Sequence, residues 1–259
     1  MNSHNITNES LALALMLVVV AILISHKEKL ALEKDIFWSV GRAIIQLIIV
    51  GYVLKYIFSV DDASLTLLMG VFIGFNPAGN AQKRSKVIAK ALFPPFIPIR
   101  SGAGITPRGR ISPGSVDFSP TRVIPIAGMI AGNAMVAVGL CYNNLGQRVI
   151  SEQQQIQEKL SLGATPKQAS AILIRDSIRA ALIPTVDSAK TVGLVSLPGM
   201  MSGLIFAGID PVKAIKYQIM VTFMLLSTAS LSTIIACYLT YRKFYNSRHQ
   251  LVVTQLKKK

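Results

Sequence analysis

The stretch VIPIAGMIAGNAMVAVGLCY, Val123 to Tyr142, holds twenty residues without one charge. At 1.5 Å of rise per residue, a helix of that length matches the ~30 Å hydrocarbon core of a bilayer. Working outward, the same test picks Leu11–Ser25, which reaches span length with Thr7 to Glu9 at the interface, and Ile36–Phe58. It also picks Leu65–Asn80, Thr191–Ile209 and Ile215–Tyr241. The composition agrees with these six spans. Hydrophobic residues make up 51% of the 259 and charged residues only 15%, against about 25% charged in a soluble domain. The sequence therefore predicts an all-α, polytopic membrane helix bundle, a single transmembrane domain over residues 1–259.

The net charge of +15 would suggest nucleic acid in a soluble protein. In a membrane protein, Lys and Arg are read loop by loop, because they set orientation. Lys27, Lys29 and Lys34 follow the first span, and Lys83, Arg84, Lys86 and Lys90 follow the third. Another basic group runs from Arg148 to Lys190, and a last one from Arg242 to Lys259. The loop at 59–64 has no basic residue and the turn at Asp210 has only Lys213 nearby. This alternation predicts an N-terminus outside, about seven crossings and a cytoplasmic C-terminus, with no nucleic-acid partner. The N-terminus has no basic n-region or cleavage site, so the first span is expected to be retained. The seventh crossing must lie between Lys86 and Val123, where Pro94, Pro95, Pro98, Pro107, Pro113 and Pro120 fall. Prolines at 94, 95 and 98 would remove successive helical hydrogen bonds, and lipid has nothing to replace them. The window 94–120 thus reads as a poor transmembrane helix in a place where the charge pattern requires one.

On that topology residues 143–190 form one cytoplasmic segment. Leu145, Val149, Ile156 and Leu160 fall on one helical stripe. Gly163 suits a helix C-terminus because it tolerates positive φ. Thr165, Pro166 and Gln168 have the order of an N-cap, a first-turn proline and a capping-box partner. The segment is expected to turn an elbow at 163–165 and begin a second helix, with Ile172, Ile178 and Leu182 on its inner side. Such an elbow suits a cleft on another protein; the alternative is an amphipathic helix resting on anionic lipid.

The run EKLSLGATPKQA, Glu158 to Ala169, resembles the coupling-loop motif of ABC-transporter permeases: a Glu, a Gly five residues on, and a later helix closed by proline, here Ile183-Pro184. Lys159-Leu160 stands where that motif has two alanines, and the closing proline comes later than in importers. More widely, Asn133 to Gly139, Val186 to Gly203 and Gly208 to Pro211 resemble the Fet-type iron-export permeases, to which plant aluminium-tolerance permeases are related. The likeness is strongest over 1–70 and 123–259 and fails over 71–122, where that family carries an apolar helix. It implies a bacterial inner-membrane permease, two copies working with two copies of a cytoplasmic ATPase, and iron export supporting iron homeostasis and oxidative-stress resistance. Glu158, Gly163, Ala164, Thr165 and Pro166 would then contact the ATPase. No G-x-x-x-x-G-K-[ST] loop occurs in the chain. It is therefore expected to be no enzyme and to bind no cofactor; ATP and Mg would be used by the partner.

Candidate pathway residues are Arg42 and Gln46, one turn apart in the second span, Asn133 in mid-span, and Met200 and Met201 beside the helix break at Pro198-Gly199. Each has a plainer role: snorkelling for Arg42, helix–helix hydrogen bonding for Asn133, packing for the methionines. Gly128/Gly132 and Gly199/Gly203 are GxxxG pairs, suited to close helix contact and to a homodimer. Asp187 and Lys190 are spaced to pair across one helical turn. Cys141 and Cys237 read as small buried residues. His4, His26 and His249 are isolated, so the metal ligands stay unknown. The basic C-terminus reads as an anchor to membrane lipid. A secondary transporter driven by an ion gradient is the alternative, though that class places carboxylates within its spans.

Overall fold

The computed structural model describes residues 8–60 and 120–252. The expected span Leu65–Asn80, His4 and the proline-rich window lie outside them, except that Pro120 opens a helix. The described residues are helical, without a β-sheet. The chain divides into two compact units, Met1–Asp61 and Asp62–Lys259.

The first unit contains α1 (Asn8–Lys27) and α2 (Glu33–Val60), which enclose the two spans expected there. Their apolar residues leave few groups to define a turn, so the turn depends on polar ones. Ser25 is buried, its hydroxyl accepts from the Leu32 amide at 3.3 Å, and its carbonyl accepts from Leu30. Lys29 and Ala31 adopt positive φ to close the loop.

The second unit is built on α3 (Pro120–Ser151), α6 (Ala171–Thr191) and α8 (Pro211–Thr240), which pack against one another. Between them lie α4 (Gln153–Ser161), α5 (Pro166–Ala169) and α7 (Gly199–Phe206). Small side chains form the seam: Ala134 and Val138 on α3, Ser177 and Ala181 on α6, Ala229 and Ser232 on α8 are all buried. Such residues let helix backbones approach closely where lipid removes the hydrophobic drive for association. Cys141 and Cys237 are buried in the same seam as free thiols. α3 would extend for ~48 Å and α8 for ~45 Å, well beyond a ~30 Å apolar core. α3 runs on past the apolar stretch ending at Tyr142 to Ser151, and the elbow follows these extra turns.

Among the described residues, Glu33–Tyr56, Ile124–Ser151 and Pro211–Phe244 are long and apolar enough to cross a membrane; Leu13–Lys27 is a shorter apolar helix. The expected span Thr191–Ile209 is not one helix. Thr191 ends α6, residues 192–198 are irregular with Gly193 at φ 85°, and α7 has eight residues. Instead α6 itself runs back along α3 and α8, with Ile174 beside Cys237 and Ala181 in the shared core. Residues 143–190 take part in four of the unit's elements, α3 to α6. α3 continues unbroken through Tyr142 to Ser151, and the chain re-enters the bundle after Ser170.

Candidate functional site

The elbow comprises α4, the turn at 162–165 and α5. Gly163, just past the C-cap Leu162 of α4, has φ 88°. The Gly163 amide donates to the Leu160 carbonyl and the Ala164 amide to the Lys159 carbonyl, both at 3.0 Å. This pair of bonds is the Schellman motif, which satisfies the last carbonyls of a helix. The next helix starts immediately. The Thr165 hydroxyl accepts from the Gln168 amide, the Thr165 amide donates to Gln168 Oε1 at 2.9 Å, and Pro166 occupies the first turn. The sequence cues at 163, 165, 166 and 168 therefore have the geometry expected of them.

The base of the elbow is fixed to the bundle. Leu145 and Val149, on the surplus turns of α3, and Ile156 on α4 are buried in one cluster with Leu173 and Ile174 of α6; Leu160 is partly buried against it. Arg148 Nη1 reaches Asp176 at 2.9 Å and Glu152 at 3.3 Å, tying α3 to the start of α6. Glu158 accepts from Gln154 at 2.9 Å on the exposed side. Leu162, next to Gly163, is 88% exposed. A fixed base thus carries an uncovered apolar tip.

The stripe Leu145–Val149–Ile156–Leu160 packs as predicted, although Glu152 breaks its helix in two. The inner face of α6 differs from the expectation. Ile172 is exposed, Ile178 and Leu182 are only partly buried, and Leu173, Ile174, Ser177, Ala181 and Thr185 point inward. Close contact selects the small side chains, and their burial carries little hydropathy signal. Pro184 does not close a helix, because α6 continues seven residues past it to Thr191. Neighbouring helices and local adjustment let a bundle helix tolerate proline.

The C-terminal segment is more structured than a loose lipid anchor. After a 3₁₀ turn at Tyr241–Phe244, residues 245–252 fold back. Tyr245 bridges to Leu251, the Val252 amide donates to the Phe244 carbonyl at 2.8 Å, and the Tyr245 and Ser170 hydroxyls hydrogen-bond. Burial pushes the Tyr245 hydroxyl pKa above its usual value, and the Ser170 bond opposes that in part. Sequence reasoning missed this clasp. Its signal was the alternation of Phe244, Tyr245 and Leu251 with polar turn residues.

The candidate pathway residues are divided between the two units. Arg42 and Gln46 are exposed on α2 in the first unit. Asn133 is half-buried beside Ala134. Met200 packs with Met129 and Met224 against Ile126, Ile130 and Val221, at the end of α3 away from the elbow, and Met201 is half-buried. A Cβ added at Gly132, Gly199 or Gly203 would meet nothing within 4 Å among the described residues, so these glycines seat none of the described helices of their own unit; Gly128 is half-buried. Asp187 and Lys190 pair at 3.0 Å, exposed. Among the described residues no three His, Cys, Asp or Glu side chains converge. His26 lies 3.8 Å from Glu33, and His249 sits in the clasp at φ 60°.

Residues 8–245 match the Uncharacterised protein family (UPF0014), a match that runs across 71–122 as well. The chain is 90% identical over 259 residues, the whole of both chains, to the "Probable iron export permease protein FetB" of Escherichia coli K12. It is 36% identical over 242 residues to the "UPF0014 membrane protein YjkA" of Bacillus subtilis 168, covering 93% of this chain and 97% of that one. To the Arabidopsis thaliana "Protein ALUMINUM SENSITIVE 3" it is 34% identical over 240 residues, 93% and 88% of the two chains. No solved structure matches. With apolar helices of spanning length and a match over nearly all its residues, the chain belongs to the UPF0014 family of membrane proteins.

Proposed function

We propose that the chain is the membrane-spanning subunit of an ATP-driven exporter that moves iron out of the bacterial cytoplasm, with ATP and Mg used by a separate cytoplasmic ATPase. The cargo is suggested by the name of the relative that is 90% identical over the full length. The coupling role rests on one observation: an elbow with a fixed base and a bare apolar tip, following the polar extension of α3.

Closure of the ATPase would load Leu162 and the turn of Glu158, Gly163, Ala164, Thr165 and Pro166. The load would pass through the Arg148–Asp176 pair and the Ile156 cluster into α3 and α6. Because α6 lies inside the bundle and ends at the irregular stretch 192–198, its displacement would be felt at α7. Asn133, Met200 and Met201, with Arg42 and Gln46, are the pathway candidates. The open faces at Gly132, Gly199 and Gly203 suit a second copy of the chain, and Gly128 lies one turn before Gly132. The N-terminus would lie outside the inner membrane and the C-terminus in the cytoplasm. Export of this kind would support iron homeostasis and oxidative-stress resistance.

The test uses inverted membrane vesicles containing the chain and a soluble ABC ATPase from the same bacterium. ATP-dependent uptake of Fe(II) that is lost in Gly163→Val, with the protein still inserted, supports both export and coupling. Uptake driven by an ion gradient without ATP would instead identify a secondary transporter.

A further inference from the structure

The clasp at 245–252 lies beside the elbow, and together they enclose a shallow groove of about 640 Å³. Gln157, Ser161 and Ala164 line it on the elbow side, and Arg248, His249 and Gln250 on the other. The clasp is held in a defined shape. Asn246 Oδ1 accepts from the amides of Arg248 at 3.0 Å and Gln250 at 2.9 Å, and the His249 amide donates to the Asn246 carbonyl. Leu251 packs on the elbow's own core cluster. Arg248 and His249 are thereby presented, exposed, along one flank of α4.

The opposite flank has the other polarity. A second groove of about 520 Å³ shares Gln157 and Ser161 with the first but is bounded by Gln154 and Glu158. The elbow is thus a ridge with Leu162 at its tip, basic groups along one side and Glu158 along the other. We propose that the clasp is one wall of the ATPase-docking surface, and that Arg248 and His249 receive an acidic rim beside the cleft that takes Leu162. This rests on the coupling role given to the elbow above. An anionic bilayer would favour cations on both flanks, and Glu158 on the second flank speaks for a protein partner. Charge differing across the ridge also fixes the direction in which the ridge is received, since like charges opposed across an interface suppress the wrong arrangement.

The experiment measures binding of the soluble ABC ATPase used above to the detergent-purified full chain, at low and high salt. Arg248→Glu lies on the surface, Asn246→Ala undoes the turn that presents it, and Gly163→Val disrupts the elbow. Under the proposal, Arg248→Glu weakens binding about tenfold at low salt, and the loss shrinks at high salt as screening sets in. Asn246→Ala weakens it in the same direction. Normal binding by both clasp variants, with loss only in Gly163→Val, would overturn the clasp proposal and leave the elbow reading standing. Normal binding by all three would overturn both. Loss of adhesion to anionic phosphatidylglycerol vesicles in Arg248→Glu, with ATPase binding unchanged, would assign the clasp to the membrane and overturn the proposal.

Discussion

At the elbow end of α3, Leu145, Val149 and Ile156 are buried with Leu173 and Phe244, and ion pairs and hydroxyl contacts join the parts. At the opposite end α7 meets α3 and α8 through Met129, Met200 and Met224, while Leu194, Val195 and Phe206 face outward. Branched aliphatic and aromatic side chains interlock in few rotamers, whereas unbranched thioethers adapt to changing neighbours. Because methionines surround the buried Ile126, Ile130 and Val221 at that end, its packing is expected to adapt more readily than that of the elbow end. A push on the elbow end would appear as movement at the other one.

Substitutions can break or sharpen that contrast. The largest effect is expected from Leu145→Ala, which empties a fully buried site and should cost about 2–5 kcal/mol; Met200→Ala, half-exposed and in adaptable surroundings, should cost clearly less. Thermal denaturation in detergent ranks the two, and an equal loss would remove the distinction between the ends. Gly163→Val comes next, because a β-branched residue must take φ 88°, at about 1–2 kcal/mol. Its local cost should appear as faster amide exchange across 158–164. Thr165→Ala removes the cap of α5 and should lose about 1 kcal/mol, visible as exchange at Gln168.

The smallest effect concerns Tyr245. Its folded pKa is raised by burial, so the neutral phenol is the form that the fold favours. That contribution is fully present below the ordinary tyrosine value of about 10 and is lost as pH rises through the raised folded value. Alkaline titration should therefore loosen the clasp above about pH 10, and Tyr245→Phe should abolish that step while costing about 1 kcal/mol through the lost Ser170 bond. A clasp that opens at the same pH in both proteins would contradict this account.

The parts legible in the sequence share a local cause. Caps at Gly163 and Thr165–Gln168 depend on residues within one turn, and the stripe from Leu145 to Leu160 on simple periodicity. The inner face of α6 was not legible, because Ser177, Ala181 and Thr185 are buried only through contact with α3 and α8. Hydropathy placed a span at Thr191–Ile209 and Pro198-Gly199 marked a break in it, which is where α7 starts; the irregular stretch back to 192, with Gly193 at positive φ, carried no such mark. The fold-back of 245–252 was hidden for a third reason: a pairing of Tyr245 with Leu251 and Ser170 is tertiary, and the surrounding Arg and Lys residues drew the reading toward lipid.

The junction at 163–165 has one more consequence, for chain length. Ala164 donates the last bond of one helix, and Thr165 begins the cap of the next. No residue is spare between them. A single insertion or deletion there would misplace both terminal motifs and rotate α5 by roughly 100° about its axis. Among functional descendants of this chain, the elbow's count of residues should stay constant.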